Sequence, residues 1–241
     1  MANYIVCLAH FCELHGPSTI ICTQVVKPSI QDKHILAPNS KVQTCASCEL
    51  YIPDGSANII TKDSLHSSNK GNGPQMVFIS NHYPSSQDRY TALTKLVMKS
   101  LSVETSSDIS KPMFFGDAIN GYCINKIFTI KDINARGSER KYALIVISDS
   151  ETDILSNWDI VGLYFNEVIN LIQERVTKTM EEISAQKISG NGNTVTGLLD
   201  NEKYLRRSMI KPKSLKELTD DDHIFVKFHL WAIELLKDIL R

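Results

Sequence analysis

The sequence predicts an α+β protein, a central antiparallel sheet of about five to six strands with helices packed on its faces. Three observations carry that expectation. Short apolar runs separated by turn residues recur along the chain, the pattern of hairpins. The run Tyr4-Ile5-Val6-Cys7-Leu8-Ala9-His10-Phe11-Cys12 is apolar on both faces, so it belongs in the middle of a sheet covered on both sides. The element order is strand, strand, strand, helix, three strands, helix, helix, which groups strands in hairpins instead of alternating them singly with helices.

The first strand runs from Asn3 to Glu13 and turns at His15-Gly16-Pro17-Ser18. Thr19 to Val26 returns as the second strand. From Lys27 to Pro74 the pattern dissolves under Pro28, Pro38, Pro53 and Gly55, and residues 27–74 read as a flexible insertion. Met76-Val77-Phe78-Ile79 restores a strand. Ser85 or Ser86 then caps a helix whose Tyr90, Leu93, Leu96, Val97 and Leu101 share a face. Between Lys111 and Asp149 lie three apolar runs. Asp117 to Gly121 turns the first pair, with Asn120-Gly121 the sharpest hairpin signal, and Asn134 to Ser138 turns the second. This is a three-stranded meander.

Ser156-Asn157-Trp158-Asp159 has the form of a capping box for the longest helix. Its apolar stripe is read as Ile160, Leu163, Tyr164, Val168, Leu171, Ile172, Val176, Met180 and Ile183. Gly190 to Asn193 is a loop, and Lys203 to Lys216 is positive without an acidic residue. Thr219-Asp220-Asp221-Asp222 caps a last helix rich in Phe, Leu and Ile, acidic where the helix dipole favours it. The organisation is one domain over 1–241 with a C-terminal helical extension from 198 to 241. The surplus of amphipathic helix over sheet leaves an apolar surface for a partner.

Composition removes several classes of function. At 241 residues, 42% hydrophobic, the chain can bury a core of its own. A formal charge of −1 does not suit a nucleic-acid binder. Met1-Ala2-Asn3-Tyr4 lacks a basic n-region, so no signal peptide is expected. No apolar run approaches the roughly 20 residues of a membrane span. There is no Asn-x-Ser/Thr sequon, and most of the six cysteines sit in apolar runs, as in a reduced cytosolic protein.

Chemistry-bearing patterns are few. No phosphate-binding glycine loop, HExxH or GxSxG is present. Cys45-Ala46-Ser47-Cys48 has the spacing of half a zinc site, but a closed site needs a second pair. Only His34 and His66 stand near in sequence, and a free pair in a loop is the expectation. His10, Cys12 and His15 mimic a base and nucleophile by adjacency alone. The basic run near Lys203 is read as a solvated linker, with anionic lipid or an acidic partner as the alternative. Arg136 stands in a turn beside Gly137. It is a hydrated turn residue or an arginine finger, donated to the nucleotide site of another protein. Arginine suits that task because it stays charged and grips phosphate oxygens with a planar fork.

Several stretches resemble the folliculin family: His10-Phe11-Cys12-Glu13-Leu14-His15-Gly16-Pro17 with Cys22-Thr23, then Phe114-Phe115-Gly116-Asp117 with Gly121, then Ile130-Lys131-Asp132 and Ala135-Arg136-Gly137 with Tyr142. Leu218-Thr219-Asp220-Asp221-Asp222 is a weaker echo. The match is loose between Lys27 and Pro74, and the length is similar to that of fungal members. The resemblance implies a longin-type domain. It implies a heterodimer with a folliculin-interacting-protein relative, joined through the longin domains. It further implies GTPase activation on a Rag-type small GTPase, in amino-acid signalling to the TOR kinase complex. The protein would be cytoplasmic and recruited to the vacuolar or lysosomal membrane through its partners. Such a protein regulates an enzyme, is not itself one, and needs no cofactor or metal. The family's arginine finger lands on Arg136, with Arg140 as the nearby understudy. Folliculin continues into a DENN domain, whereas this sequence ends at Arg241, so what that domain contributes is expected to come from the partner or to be absent. A non-catalytic adaptor for permease sorting or vacuolar recruitment of the partner is the alternative.

Overall fold

β1 (Tyr4–Cys12) is the strand on which the other layers are built. It pairs antiparallel with β2 (Gly16–Val26) on one side and with β7 (Glu139–Ser148) on the other. The computed structural model describes residues 3–37, 44–64, 74–102, 109, 111–189 and 212–241. Within them the sheet has seven strands, with β3 (Asn58–Ser64), β4 (Gln75–Asn81), β5 (Met113–Asp117) and β6 (Gly121–Lys131) completing it. The order is β3-β4-β2-β1-β7-β6-β5, which puts β1 in the middle, as its two apolar faces require.

The pleat sends alternate β1 side chains to opposite layers. Ile5, Cys7 and Ala9 pack with Leu93, Leu96, Val97 and Leu101 of the α1 region (α1, Gln87–Ser100). Tyr4, Val6 and Leu8 pack with the helices of the opposite face. These are α2 (Glu151–Ser156), α3 (Trp158–Ser189), α4 (Leu215–Thr219) and α5 (Ile224–Ile239). Full burial of one such aliphatic side chain contributes about 1.5–3 kcal/mol. The result is a three-layered α+β domain of longin type.

The meander forms as its turn chemistry dictates. The Asp117 carboxylate accepts the amides of Ile119 and Asn120, and Gly121 takes φ +89°. Several features differ from the sequence reading. The sheet gains β3, which lies inside the stretch read as a flexible insertion. Its edge position needs only one covered face, so Asn-Ile-Ile-Thr-Lys-Asp-Ser lacks a continuous apolar signal. Residues 27–37 and 44–64 are built into the fold, with Leu36, Cys48 and Ile52 buried.

The long helix is continuous, but a short helix that the sequence reading lacked stands before it. Ser150, not Ser156, accepts the Asp153 amide and starts α2, and the chain breaks at Asn157 before α3. The buried face of α3 is Val161, Phe165, Val168, Ile169, Ile172 and Val176, whereas Leu163, Leu171 and Ile183 are exposed. The helix carries apolar residues on more than one side, and periodicity alone does not say which side meets the sheet.

Before the last helix, Ser214 and Glu217 form a capping box on α4. Asp220 takes left-handed φ +47°, and the Asp221 carboxylate accepts the His223 amide ahead of α5. Most of α5 is buried core, with Leu230 exposed on its outer side. The loop read at Gly190–Asn193 and the basic run from Lys203 to Lys211 lie outside the described residues. Of that run's end, Lys216 pairs with Asp222 at 2.9 Å and lies over the Tyr51 ring.

Candidate functional site

Three connections meet at one end of the sheet: the β1–β2 turn, the 3-10 turn Ala46–Cys48, and the loop from Asp132 to Ser138 between β6 and β7. The loop is tied internally by main-chain bonds, Asp132 N–H to the Ser138 carbonyl and Ala135 N–H to the Asp132 carbonyl, both 2.9 Å. Gly137 takes φ +76°, a region a β-carbon disfavours. Open space surrounds the position its β-carbon would occupy.

Arg136 tops this loop. Its peptide N–H donates to Glu13 Oε1 at 2.6 Å, so its backbone is fastened to the β1–β2 turn. Its side chain is exposed, and its guanidinium has no hydrogen bond or ion pair with another described residue. The turn therefore holds a fixed backbone and an uncommitted cation.

Arg140 corrects the expectation that it is an understudy. It is 6% exposed, and its Nε donates to Asp132 Oδ2 at 2.7 Å. Its Nη1 donates to Ser47 Oγ at 3.1 Å. The Asp132 carboxylate also accepts the Asn134 amide. Strand alternation places Arg140 inward from the start of β7, and there it braces the loop from below.

The structure supplies what Cys45 and Cys48 lacked in sequence. Cys12 and His15, from the first turn, join them, and the four donor atoms lie within 4.8 Å of one another. Cys12 Sγ is 3.5 Å from Cys45 Sγ and 3.7 Å from His15 Nδ1. Cys48 Sγ is 3.7 Å from Cys45 Sγ and 3.4 Å from His15 Nδ1. Cys12 and His15 are therefore not an isolated nucleophile and base. Of the two histidines near in sequence, His34 does not belong to the group among the described residues, and His66 lies outside them. The overlooked signal was Cys12-x-x-His15, which repeats the Cys45-x-x-Cys48 spacing with one histidine substituted.

Buried polar groups surround the cluster. His10 Nε2 is 3.2 Å from Cys48 Sγ, and the imidazole stacks on Tyr142. Burial, with Arg140 and His15 close by, holds His10 down at about 3, so it is neutral. Burial also pushes the Cys48 thiol up, and the neighbouring Cys12 and Cys45 sulfurs add to the shift. At Cys45 burial works the same way, but hydrogen bonding to Cys48 and Cys12 outweighs it and the thiol falls below its ordinary value.

Residues 76–239 match the model of the folliculin family, described as a vesicle coat protein involved in Golgi to plasma membrane transport. Protein LST7 of Saccharomyces cerevisiae is 28% identical over 100% of this chain and 98% of its own length. The folliculin-like protein bhd1 of Schizosaccharomyces pombe is 26% identical over 67% of this chain and 45% of its own. Human folliculin is 25% identical over 98% of this chain and 45% of its own.

Fold and site thus define a longin-type domain with an anchored turn that carries an exposed arginine at one end of the sheet. The chain belongs to the folliculin family, and its membership supports a role related to vesicle traffic. The match with LST7 spans nearly the whole of both chains, while the matches with bhd1 and human folliculin span under half of those proteins. Among the described residues no helix is long and apolar enough to cross a membrane.

Proposed function

We propose that this chain is one subunit of a heterodimeric GTPase-activating complex, and that Arg136 is its arginine finger. The partner is a folliculin-interacting-protein relative, and the target is a Rag-type small GTPase in amino-acid signalling to the TOR kinase complex. The protein works in the cytoplasm and reaches the vacuolar or lysosomal surface through its partners. One observation carries the reading: Arg136 has its backbone fixed to Glu13 while its exposed guanidinium is unpaired among the described residues. A finger needs both properties. The fixed backbone sets the direction of approach, and the free fork neutralises charge growing on the transferring phosphoryl group, an effect of about 10³–10⁵ in rate. The chain's part is regulatory, since the nucleotide, its magnesium and the attacking water belong to the GTPase.

Multiple-turnover GTP hydrolysis by the candidate GTPase, with and without the reconstituted heterodimer, tests this. Stimulation that disappears with Arg136→Ala, while GTPase binding persists, is the expected result. A second reading draws on the family's description in Golgi to plasma membrane transport. In it the chain is a non-catalytic adaptor for permease sorting or for recruiting its partner. Full stimulation by the Arg136→Ala complex, or none by the wild type, would favour that reading.

A further inference from the structure

We infer that Cys12, His15, Cys45 and Cys48 together bind one zinc ion in a closed tetrahedral site. The donors come from two short turns distant in sequence, each contributing a pair at the x-x spacing typical of structural zinc ligands. Zinc lies roughly 2.3 Å from thiolate sulfur and 2.0–2.1 Å from imidazole nitrogen. A tetrahedron of those radii has edges of roughly 3.8 Å between sulfurs and 3.6 Å between sulfur and nitrogen. Two of the three sulfur–sulfur edges here are 3.5 and 3.7 Å and two of the three sulfur–nitrogen edges are 3.7 and 3.4 Å, and the remaining two separations are within 4.8 Å. The sulfurs thus stand at the separations of a coordination shell, well beyond the roughly 2.05 Å of a disulfide. A disulfide would also leave His15 and one thiol without a role.

The surroundings fit a metal thiolate. The Leu14 amide points at Cys12 Sγ from 3.4 Å, and His10 Nε2 approaches Cys48 Sγ at 3.2 Å. Outer contacts of this kind orient ligands and spread the charge of the thiolates. Three thiolates and one neutral histidine leave no open position for a substrate water, so the site is structural and not catalytic. On binding, the three thiol protons pass to solvent and His15 offers the Nδ1 lone pair.

The two turns that the ion would clamp are the two that hold the Arg136 loop. Glu13, between Cys12 and His15, accepts the Arg136 amide, and Ser47, between Cys45 and Cys48, accepts from Arg140. Zinc therefore fixes the loop's platform. Only the consequence for GTP hydrolysis rests on the proposed function; ligation and anchoring do not.

The full-length chain, purified reduced and without a metal-affinity tag, is assayed for zinc and iron by elemental analysis. It is then stripped and titrated with Co²⁺. Expected are about one zinc per chain and, with Co²⁺, the visible bands of a tetrahedral thiolate site. Cys45→Ser and Cys48→Ser should each lose the zinc, and Cys123→Ala, a buried cysteine in the other layer, should keep it. Amide exchange read on the wild-type chain should quicken at Arg136 when zinc is removed by chelation, whether or not any GTPase responds. A reduced wild-type chain with neither zinc nor Co²⁺ bands would overturn the proposal. So would iron in place of zinc, or full zinc retention in a doubly substituted Cys45→Ser, Cys48→Ser chain. Unchanged Arg136 exchange after complete zinc loss would overturn the anchoring step.

Discussion

Arg136 in the loop and Arg140 at the start of β7 stand four residues apart in opposite settings, the first exposed and the second buried. Arg136 is exposed and among the described residues is held through its backbone, so Arg136→Ala should change stability by less than about 0.5 kcal/mol. As the proposed finger, its loss should lower the maximal rate of stimulated GTP hydrolysis by about 10²-fold or more with assembly intact. Arg136→Lys should rescue poorly, because a point charge cannot reproduce the two-pronged grip on phosphate. Arg140 behaves otherwise. Its partner Asp132 is 3% exposed, and truncating Arg140 leaves that carboxylate buried and unpaired. Arg140→Ala should cost about 3–5 kcal/mol, read as an earlier urea midpoint. An unchanged midpoint would show that the pair is not buried in solution. The sequence read both arginines as turn residues, since it could not show that one enters the sheet pointing inward. It likewise offered Cys12 and His15 as neighbours of each other, because their approach to Cys45 and Cys48 is made by the fold alone.

At the scale of elements, α5 carries a polar line through an apolar layer. His229 is 1% exposed, and its Nδ1 meets Ser80 Oγ at 2.6 Å while Nε2 meets Thr61 Oγ1 at 2.9 Å. Ser80 also meets Thr23 at 2.6 Å, so the line joins the helix to β3, β4 and β2. Burial pulls His229 down to about 4. An unfolded chain protonates this histidine near 6.5, and the folded chain does so only near 4. Between those values the unfolded state binds more protons, so stability falls as pH drops from about 6.5 towards 4. The full share of His229 is about 3 kcal/mol by this linkage. His10 and His82 are also held neutral by burial and contribute in the same direction. His229→Gln, which cannot charge, should therefore flatten the dependence without abolishing it. Urea unfolding at a series of pH values measures this, and a slope identical to wild type would refute it. Elements were legible where a local rule sufficed, as at Asn120-Gly121 and in the α1 face of Leu93, Leu96 and Val97. They were misread where tertiary contact decided, as at β3 and on α3, whose exposed Leu163 and Leu171 were expected inside.

For the whole molecule the sheet order was readable at its centre and not at its margin. Two apolar faces on β1 have only one solution, a strand flanked and covered on every side. An edge strand has several solutions, and β3 shows it. The same asymmetry governs how the molecule opens. Amides of β1 and β7 are paired on both sides and lie between α1 and the opposing helices, so they exchange only when the whole domain unfolds. β6 is also an interior strand, whereas β3 and β5 have one free edge each. Hydrogen exchange should therefore be slowest in Tyr4–Phe11, Lys126–Ile130 and Leu144–Ile147. It should be faster in Asn58–Ser64 and Met113–Asp117, although both are strands. If the chain forms its one-to-one complex with a folliculin-interacting relative through a sheet edge, one of these faster strands should gain protection on mixing while β1 stays unchanged. Protection gained by neither β3 nor β5 in a stable complex would move the interface off the sheet. Slow exchange in β3 equal to that of β1, in the isolated chain, would contradict the layered order itself.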